Sequence, residues 1–287
     1  MASADLDRAA EFIDLNARLI DRRRFAFLFG DGDAAAVVEA LRPYRNPDGG
    51  FGNALEPDLR APDSTPQPVA LAFEMLDEAG AFDDPMVAGA CDWLATIATP
   101  DGGVPFVLEP ALAHAHAPWW QPSPEGRGSI FVTPVLAALL HKHGVEPPWL
   151  ESATQMVWRG IDELDDTSPY AARAVFTFLD HVPDRGRAEA TMAEIGPRVL
   201  EAAVTTDTDA PGEVHFPLDF APEPGRLSRQ PFDDDLIELH LDALAGRQRD
   251  DGGWMFNWPV WAPLVELEWR GWLTVRALRV LRANGRL

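Results

Sequence analysis

Four acidic stretches hold the residues of this chain whose types and spacing could do chemistry. Glu163, Asp165 and Asp166 lie together, and Asp233, Asp234 and Asp235 form an unbroken run. Glu56, Asp58 and Asp63 surround Arg60, and Glu266 and Glu268 precede Arg270. A carboxyl group that must keep its proton near neutral pH needs burial or neighbouring carboxylates, both of which raise its pKa. Two carboxylates opposed across a cleft could instead hydrolyse a sugar by acid/base catalysis. Each stretch has an ordinary reading as well. Carboxylates at helix starts cap free N–H groups and sit well at the positive end of the helix dipole. Asp233–Asp235 fits that reading, because Phe82-Asp83-Asp84 makes the same start earlier in the chain. In Glu163–Thr167 the cap would be Thr167 or Ser168, with Pro169 as the first helical residue. The Glu56–Asp63 and Glu266–Arg270 clusters read equally as solvated loops with local ion pairs.

Aromatic residues are the second chemical resource. The chain has ten Trp, and an aromatic face stabilises positive charge while its bulk excludes water. Trp119, Trp120, Phe131, Phe216, Phe220, Trp254, Phe256, Trp258, Trp261, Trp269 and Trp272 supply such faces, and most of them fall in loops or at helix starts. Phe51 and Trp254 close a repeated turn and read as plugs between helices. Trp119, Trp120, Trp258 and Trp261 stand outside that register and are expected in a cavity wall, with Phe131 and Trp269. Metal chemistry is not expected. His114-Ala-His116 and His141-Lys-His143 lack helical ligand spacing, and Cys91 lies inside an apolar helix. A glycine-rich phosphate loop and a nucleophile elbow are both missing.

A repeated unit must position these groups. Gln248-Arg249-Asp250-Asp251-Gly252-Gly253-Trp254 reads as a helix stop, a reversal needing glycine and an aromatic plug. Asn46–Phe51 and Thr99–Val104 are earlier copies, and Pro211-Gly212-Glu213-Val214 is a worn one. Phe29, Phe82 and Phe232 each stand nineteen residues before Asp48, Asp101 and Asp251. Leu41, Leu94 and Leu244 share a second register, and Asp31, Asp84 and Asp234 a third. Aligned without gaps, Phe82–Gly103 and Phe232–Gly253 agree at nine of 22 positions. A helical unit of roughly 50 residues has been copied along the chain.

Nearly every apolar stretch has helical spacing. Helices are predicted within 6–29, over 33–44, from Ser64-Thr65-Pro66 to Gly80, and from Asp83 to the second turn. Further helices are predicted over 131–143, 148–164, 169–181, 187–204, 233–247 and 266–282. The total is ten to twelve helices in pairs, with no segment of strand period. Loops of roughly twenty residues, 105–127 and 215–230, interrupt the series. Long loops at alternate junctions favour a closed α/α toroid, roofed at one end, over an open solenoid. One domain spanning 1–287 is expected.

Bulk properties narrow the function. Acidic residues outnumber basic ones 46 to 24, for a net charge of −22. Binding to nucleic acid or an anionic membrane by bulk charge is therefore disfavoured. A single cysteine excludes an internal disulfide. The acidic start without a signal-peptide core, and the lack of a long apolar run, predict a cytoplasmic protein with no transmembrane segment.

Gln248-x-x-x-Gly252-x-Trp254 resembles the Q-x-x-x-G-x-W repeat of squalene–hopene and related terpenoid cyclases. The Asp-Gly-Gly-aromatic turns resemble those of protein prenyltransferase β subunits. Through its repeats the resemblance covers most of the chain. It implies an all-α (α/α)6 toroid with an aromatic central cavity, and proton-initiated cyclisation or isomerisation of an apolar isoprenoid. Family cyclases protonate an alkene with the central Asp of D-x-D-D-T at the start of an inner helix. Glu163-Leu164-Asp165-Asp166-Thr167 matches with Glu in the first place. Carried over residue by residue, Asp165 is the acid and Asp166 and Glu163 its supports. The aromatics outside the repeat register, with Glu56, Asp58, Asp63 and Glu266, would line the substrate site. The family's second barrel and membrane-dipping helix do not fit within this length, so the resemblance implies a single-domain soluble relative. The charge of −22 favours a neutral polyprene or oxygenated terpenoid over a diphosphate, with Mg²⁺ needed only for the latter. Two readings from other classes remain: a carbohydrate-active α/α barrel, and a non-catalytic module that binds an apolar ligand or acts as a scaffold.

Overall fold

The computed structural model describes residues 3–122 and 126–287. Its regular elements are helices, and the extended pairing it shows is two isolated bridges, Arg45 with Phe51 and Leu59 with His116. In chain order the helices are α1 (Leu6–Asn16), α2 (Leu19–Phe29), α3 (Ala34–Leu41), α4 (Pro66–Glu78), α5 (Pro85–Thr96), α6 (Thr133–His143), α7 (Leu150–Asp162), α8 (Pro169–His181), α9 (Arg185–Ala203), α10 (Pro217–Phe220), α11 (Asp234–Gly246) and α12 (Pro263–Ala283). By Cα proximity the chain forms two compact units. The first comprises the chain up to Asp33 with Asp166–Phe176 and Gly186–Leu287; the second comprises Ala34–Asp165 and Thr177–Arg185.

The three strong copies of the turn form by one recipe. In each, two backbone hydrogen bonds close a tight loop: Asn46 with Gly49 and Gly50, Thr99 with Gly102 and Gly103, and Arg249 with Gly252 and Gly253. The Asp side chain accepts from the N–H two residues on, at 2.9 Å for Asp48, 3.2 Å for Asp101 and 3.1 Å for Asp251. Gly49, Gly102 and Gly252 have φ of +98°, +96° and +91°. A Cβ there would also collide with the carbonyl oxygens of Gly89, Ser152 and Arg8 respectively. Glycine is required twice over, by conformation and by close approach. Phe51, Val104 and Trp254, the residues that follow, are all buried. Gln248 ties the third turn to the start of α1, donating to the carbonyls of Gly252 and Asp5 and accepting from the Asp5 N–H. The worn copy departs from this pattern. Gly212 has positive φ, but a Cβ there would meet open space.

Helix boundaries follow their local signals, with instructive shifts. The apolar stretch 6–29 divides at Ala17-Arg18 into α1 and α2. Asp84 caps α5 by accepting from Met86 N, and Asp233 caps α11 by accepting from Leu236 N. Ser64, expected as the cap of α4, instead donates to Asp48 at 2.8 Å, and Thr65 occupies the cap position. The long 215–230 stretch contains the short α10, which apolar periodicity does not reveal in four residues.

In the second unit, α4 packs on α3, α5 and α6, and α6 packs on α7. Phe73 and Leu76 of α4, Leu136 and Leu140 of α6 and Val157 of α7 are fully buried in this unit. In the first unit α12 lies against α1, α2 and α11. Phe12, Ile13, Ala17 and Val275 form a buried cluster there. The fully buried Asp21 is held between Arg18 at 2.8 Å and Arg24 at 2.9 Å, a pairing that such a buried charge requires. Among the described residues no helix is long and apolar enough to cross a membrane.

Candidate active site

The acidic stretch read as the catalytic motif does not have the surroundings that role needs. Glu163 caps the C-terminal end of α7, is exposed, and lies 3.3 Å from Arg127. Asp165 is exposed. Asp166 accepts from Arg198 at 2.8 Å. The Ser168 carbonyl accepts from Ala172 N, so Ser168 stands at the N-cap position of α8 with Pro169 at its first residue. The geometry is that of a capped helix start. A proton-donating carboxyl group needs dry surroundings, and Asp165 faces water.

In the second unit, the loop after the first turn does bury carboxylates. Asn53 and Ala54 follow one another with φ of 55° and 60°, in the left-handed region. Two such residues without a glycine persist only where the surroundings fix them. Asn46 and Ser64 supply that restraint. The Asn46 amide donates to Pro62 O at 2.8 Å and to Ser64 Oγ at 3.0 Å, and its oxygen accepts from Asn53 at 3.1 Å. The reversal sends Leu55-Glu56-Pro57-Asp58-Leu59 inward. Glu56 is 6% exposed and Asp58 5%.

A second loop is pinned to this one by antiparallel pairing. Arg60 N donates to Ala115 O at 2.9 Å, and Ala117 N donates to Asp58 O at 2.8 Å. Trp120 N then donates to Ala117 O, which places Trp119 and Trp120 beside the acidic loop. Trp120 is 4% exposed and packs against Phe106 at 4.8 Å between centroids; Phe106 meets Phe131 at 6.0 Å. Trp119 is 42% exposed and Phe131 is comparably open. Asp63 is exposed and lies 3.3 Å from His114. Five expected site residues thus gather in one place: Glu56, Asp58, Trp119, Trp120 and Phe131. Asp63 sits on the rim of the same loop.

The first unit carries the other aromatic group. Trp254 is the expected plug, its indole N–H donating to Leu244 O at 2.8 Å. Beyond it a ladder of rings runs from Phe256 stacked on Trp258 at 4.5 Å, to Trp269 at 5.4 Å and Trp272 at 5.6 Å. Trp261 and Glu266 are half-buried near the start of α12. Sequence reasoning missed the polar cluster next to this ladder. Tyr170 donates to Glu213 at 2.7 Å and sets its ring edge-on to His215 at 4.7 Å. Arg276 donates to Asp219 at 2.9 Å and lies 5.8 Å from the Trp272 ring. Burial would raise the Asp219 pKa, but Arg276, Arg173 and the Phe216 N–H outweigh it and hold the carboxylate at about 2. Burial, then Glu213, pushes the Tyr170 phenol well above its usual value, so it stays protonated. The i, i+4 spacing of Trp272 and Arg276 was the one legible signal for this cluster.

Among the described residues no group of three or more His, Cys, Asp or Glu is placed to hold a metal ion. Cys91 is buried, and burial followed by the neighbouring Asp92 pushes its thiol up to about 12. It is a core residue.

No protein-family model matches the chain. It is 28% identical over 233 residues to the drimenyl diphosphate synthase of Streptantibioticus cattleyicolor, a match covering 77% of this chain and 41% of that protein. The match thus spans about two fifths of the curated relative's length. Among solved structures, a protein from Actinoplanes is similar with a TM-score of 0.57 and 16% identity, covering 99% of this chain and 92% of the other. The type II terpene cyclase MstE from Scytonema gives 0.53 and 13%, over 98% and 89%. A variant of MstE bound to its substrate, geranylgeranyl dihydroxybenzoate, gives 0.55 and 12%, over 98% and 88%. These likenesses assign the fold class expected from the repeats, the all-α toroid of helix hairpins. They agree with the resemblance to terpenoid cyclases read from Gln248, Gly252 and Trp254.

Proposed function

We propose, for a chain with the fold of the type II terpene cyclases, that the protein is a terpenoid cyclase-like enzyme acting on an apolar isoprenoid by proton-initiated cyclisation or isomerisation. The observation that carries this reading is the pair of buried carboxylates Glu56 and Asp58, on a loop pinned beside Trp119 and Trp120. They meet the burial condition that Asp165 fails. In the proposed reaction a carboxyl group of this pair gives its proton to an alkene carbon. A neighbouring C=C bond then attacks the resulting tertiary cation, and a proton lost from carbon to the carboxylate left by the donor, directly or through water, restores the acid with no net change in composition. Open aromatic faces such as Trp119 and Phe131 would stabilise the moving charge, and the apolar walls would keep water from capturing it.

The similar proteins support this substrate class, since MstE variants were solved with geranylgeranyl dihydroxybenzoate as substrate and merosterolic acid A as product. The test is incubation of the purified protein with neutral and anionic C15 and C20 isoprenoids, with products separated by gas chromatography and mass spectrometry. A cyclic or isomerised product of unchanged composition is expected. Failure to convert any of the series would sink the enzymatic reading.

A further inference from the structure

We propose that the start of α11 and the end of α12 form a binding site for a small zwitterion of the α-amino acid type. Arg229 takes the carboxylate of the ligand, and Asp234 takes its ammonium group. The site lies within the first unit and is independent of the reaction proposed for Glu56 and Asp58 in the second.

Two unmatched charges carry the first part of the argument. Arg229 Nε donates to Ala221 O at 2.9 Å, and its Nη2 donates to Asn284 Oδ1 at 2.5 Å. Asn284 is fixed in turn by donating to Pro222 O at 2.9 Å and to Val280 O at 2.8 Å. These bonds use two of the five N–H groups of the guanidinium and hold its plane in place. Burial lowers the Arg229 pKa, while Asp234 and then Glu238 raise it, so both carboxylates are within electrostatic reach. Among the described residues, however, no carboxylate comes within ion-pair distance of Arg229. In a chain with 46 acidic residues, a half-buried arginine left in that state suits an anion from outside the chain. Glu238 does not serve, because it accepts from Arg286 at 2.5 Å, and Arg286 also reaches Asp242. Asp234 is spare for a different reason. Asp233 caps α11 by accepting from Leu236 N, so the next carboxylate has no capping duty. Among the described residues Asp234 makes no side-chain hydrogen bond.

Geometry carries the second part. Arg229, Asp234 and Glu238 line one cavity of about 480 Å³, a size within the range of small-molecule sites. Pro224, Ile237 and Ala283 give it an apolar wall. Asp234 and Glu238 are exposed, so a ligand can enter from solvent. The charges select the ligand. A simple anion would meet Asp234 and Glu238 as well as Arg229, and a simple amine would meet Arg229 as well as the carboxylates. A zwitterion satisfies Arg229 and Asp234 together, and with no net charge it is not repelled by the −22 of the chain. The apolar wall suits an aliphatic side chain.

The experiment is isothermal titration calorimetry of the full chain with three probes of one shape. Leucine carries both charges, isocaproate lacks the amino group, and isoamylamine lacks the carboxylate. Leucine should bind about 10-fold tighter than isoamylamine, the size of one charge-assisted hydrogen bond. Its advantage over isocaproate should be about 3-fold, smaller because Asp234 is exposed and screened. Added salt should narrow both differences. Arg229→Gln should remove the first advantage. Asp234→Asn should remove the second without weakening isocaproate. Circular dichroism establishes that the variants fold; if Arg229→Gln does not, Asp234→Asn and the probe series decide. Leucine binding no tighter than either analogue overturns the site, as does an advantage that neither substitution reduces. Absence of heat from all three probes up to about 10 mM overturns it too. Turnover of an isoprenoid in any of those cases leaves the proposed reaction standing.

Discussion

Glu56–Asp58 and Glu163–Asp166 are both short acidic stretches next to proline, yet the fold treats them oppositely. The first follows a reversal with two left-handed residues and is pinned to a second loop by backbone pairing, so its carboxylates go inside. The second joins the end of α7 to the cap of α8, and its Glu163 and Asp165 carboxylates are exposed while Asp166 is half-buried. Arg127 and Arg198 face Glu163 and Asp166. The difference teaches that a catalytic carboxylate is defined by what buries it. Match to a motif is a weaker guide than the backbone that turns the residue inward.

The largest effect should come from exchanging acids for amides in the two stretches. Glu56→Gln or Asp58→Asn is expected to reduce turnover by about 100-fold or more, the usual range for loss of a general acid. Asp165→Asn should stay within about 2-fold of the parent, as expected for an exposed group outside the chemistry. The contrast is read from product formed per unit time, with circular dichroism to establish folding. A collapse of activity in Asp165→Asn together with full activity in both loop variants would invert the assignment.

Next in size is the aromatic cover of the buried pair. Trp120→Ala should destabilise the protein by about 3–5 kcal/mol, because it empties a filled site against Phe106. Trp119→Ala removes a ring that is largely in water and should change stability by less than about 1 kcal/mol while weakening substrate binding. Denaturant midpoints and KM separate the two. Equal stability losses would mean that both rings are structural.

Much of the fold was legible from the repeats, for physical reasons. Gly49, Gly102 and Gly252 are fixed by positive φ and by a carbonyl that leaves no room for Cβ, so their spacing carries architecture. The caps at Asp84 and Asp233 are equally local. The grouping of Glu56, Asp58, Trp119, Trp120 and Phe131 was readable only as a set of candidates. Their assembly rests on the bridge between Leu59 and His116, a pairing across 57 residues that leaves no mark in periodicity. The Arg173–Asp219–Arg276 cluster was hidden for a related reason. Each residue falls in a different segment, and summed charge conceals a local balance.

The third contrast concerns the backbone that buries one loop and not the other. Ala54 holds φ near 60° without the freedom of glycine, a conformation that costs an L-residue about 1–2 kcal/mol. Ala54→Gly should recover part of this and stabilise the fold by up to about 1 kcal/mol, offset by the greater entropy of glycine in the unfolded chain. Urea melts give the sign. A loss of stability would mean that the Ala54 methyl group contributes packing worth more than the strain it carries.

The smallest effect belongs to the ion pair at the start of α8. Arg198 reaches Asp166 at 2.8 Å, but half of its side chain remains in water. Solvent screening and the entropy of a long side chain leave such pairs worth about 0–1 kcal/mol. Arg198→Ala should therefore lower stability by less than about 1 kcal/mol, with the difference shrinking as salt is added. Turnover should not change, because on this assignment Asp166 carries no proton to substrate. A loss of activity in Arg198→Ala without loss of fold would show that the α8 cap takes part in catalysis after all, and would return the motif reading to consideration alongside Glu56 and Asp58.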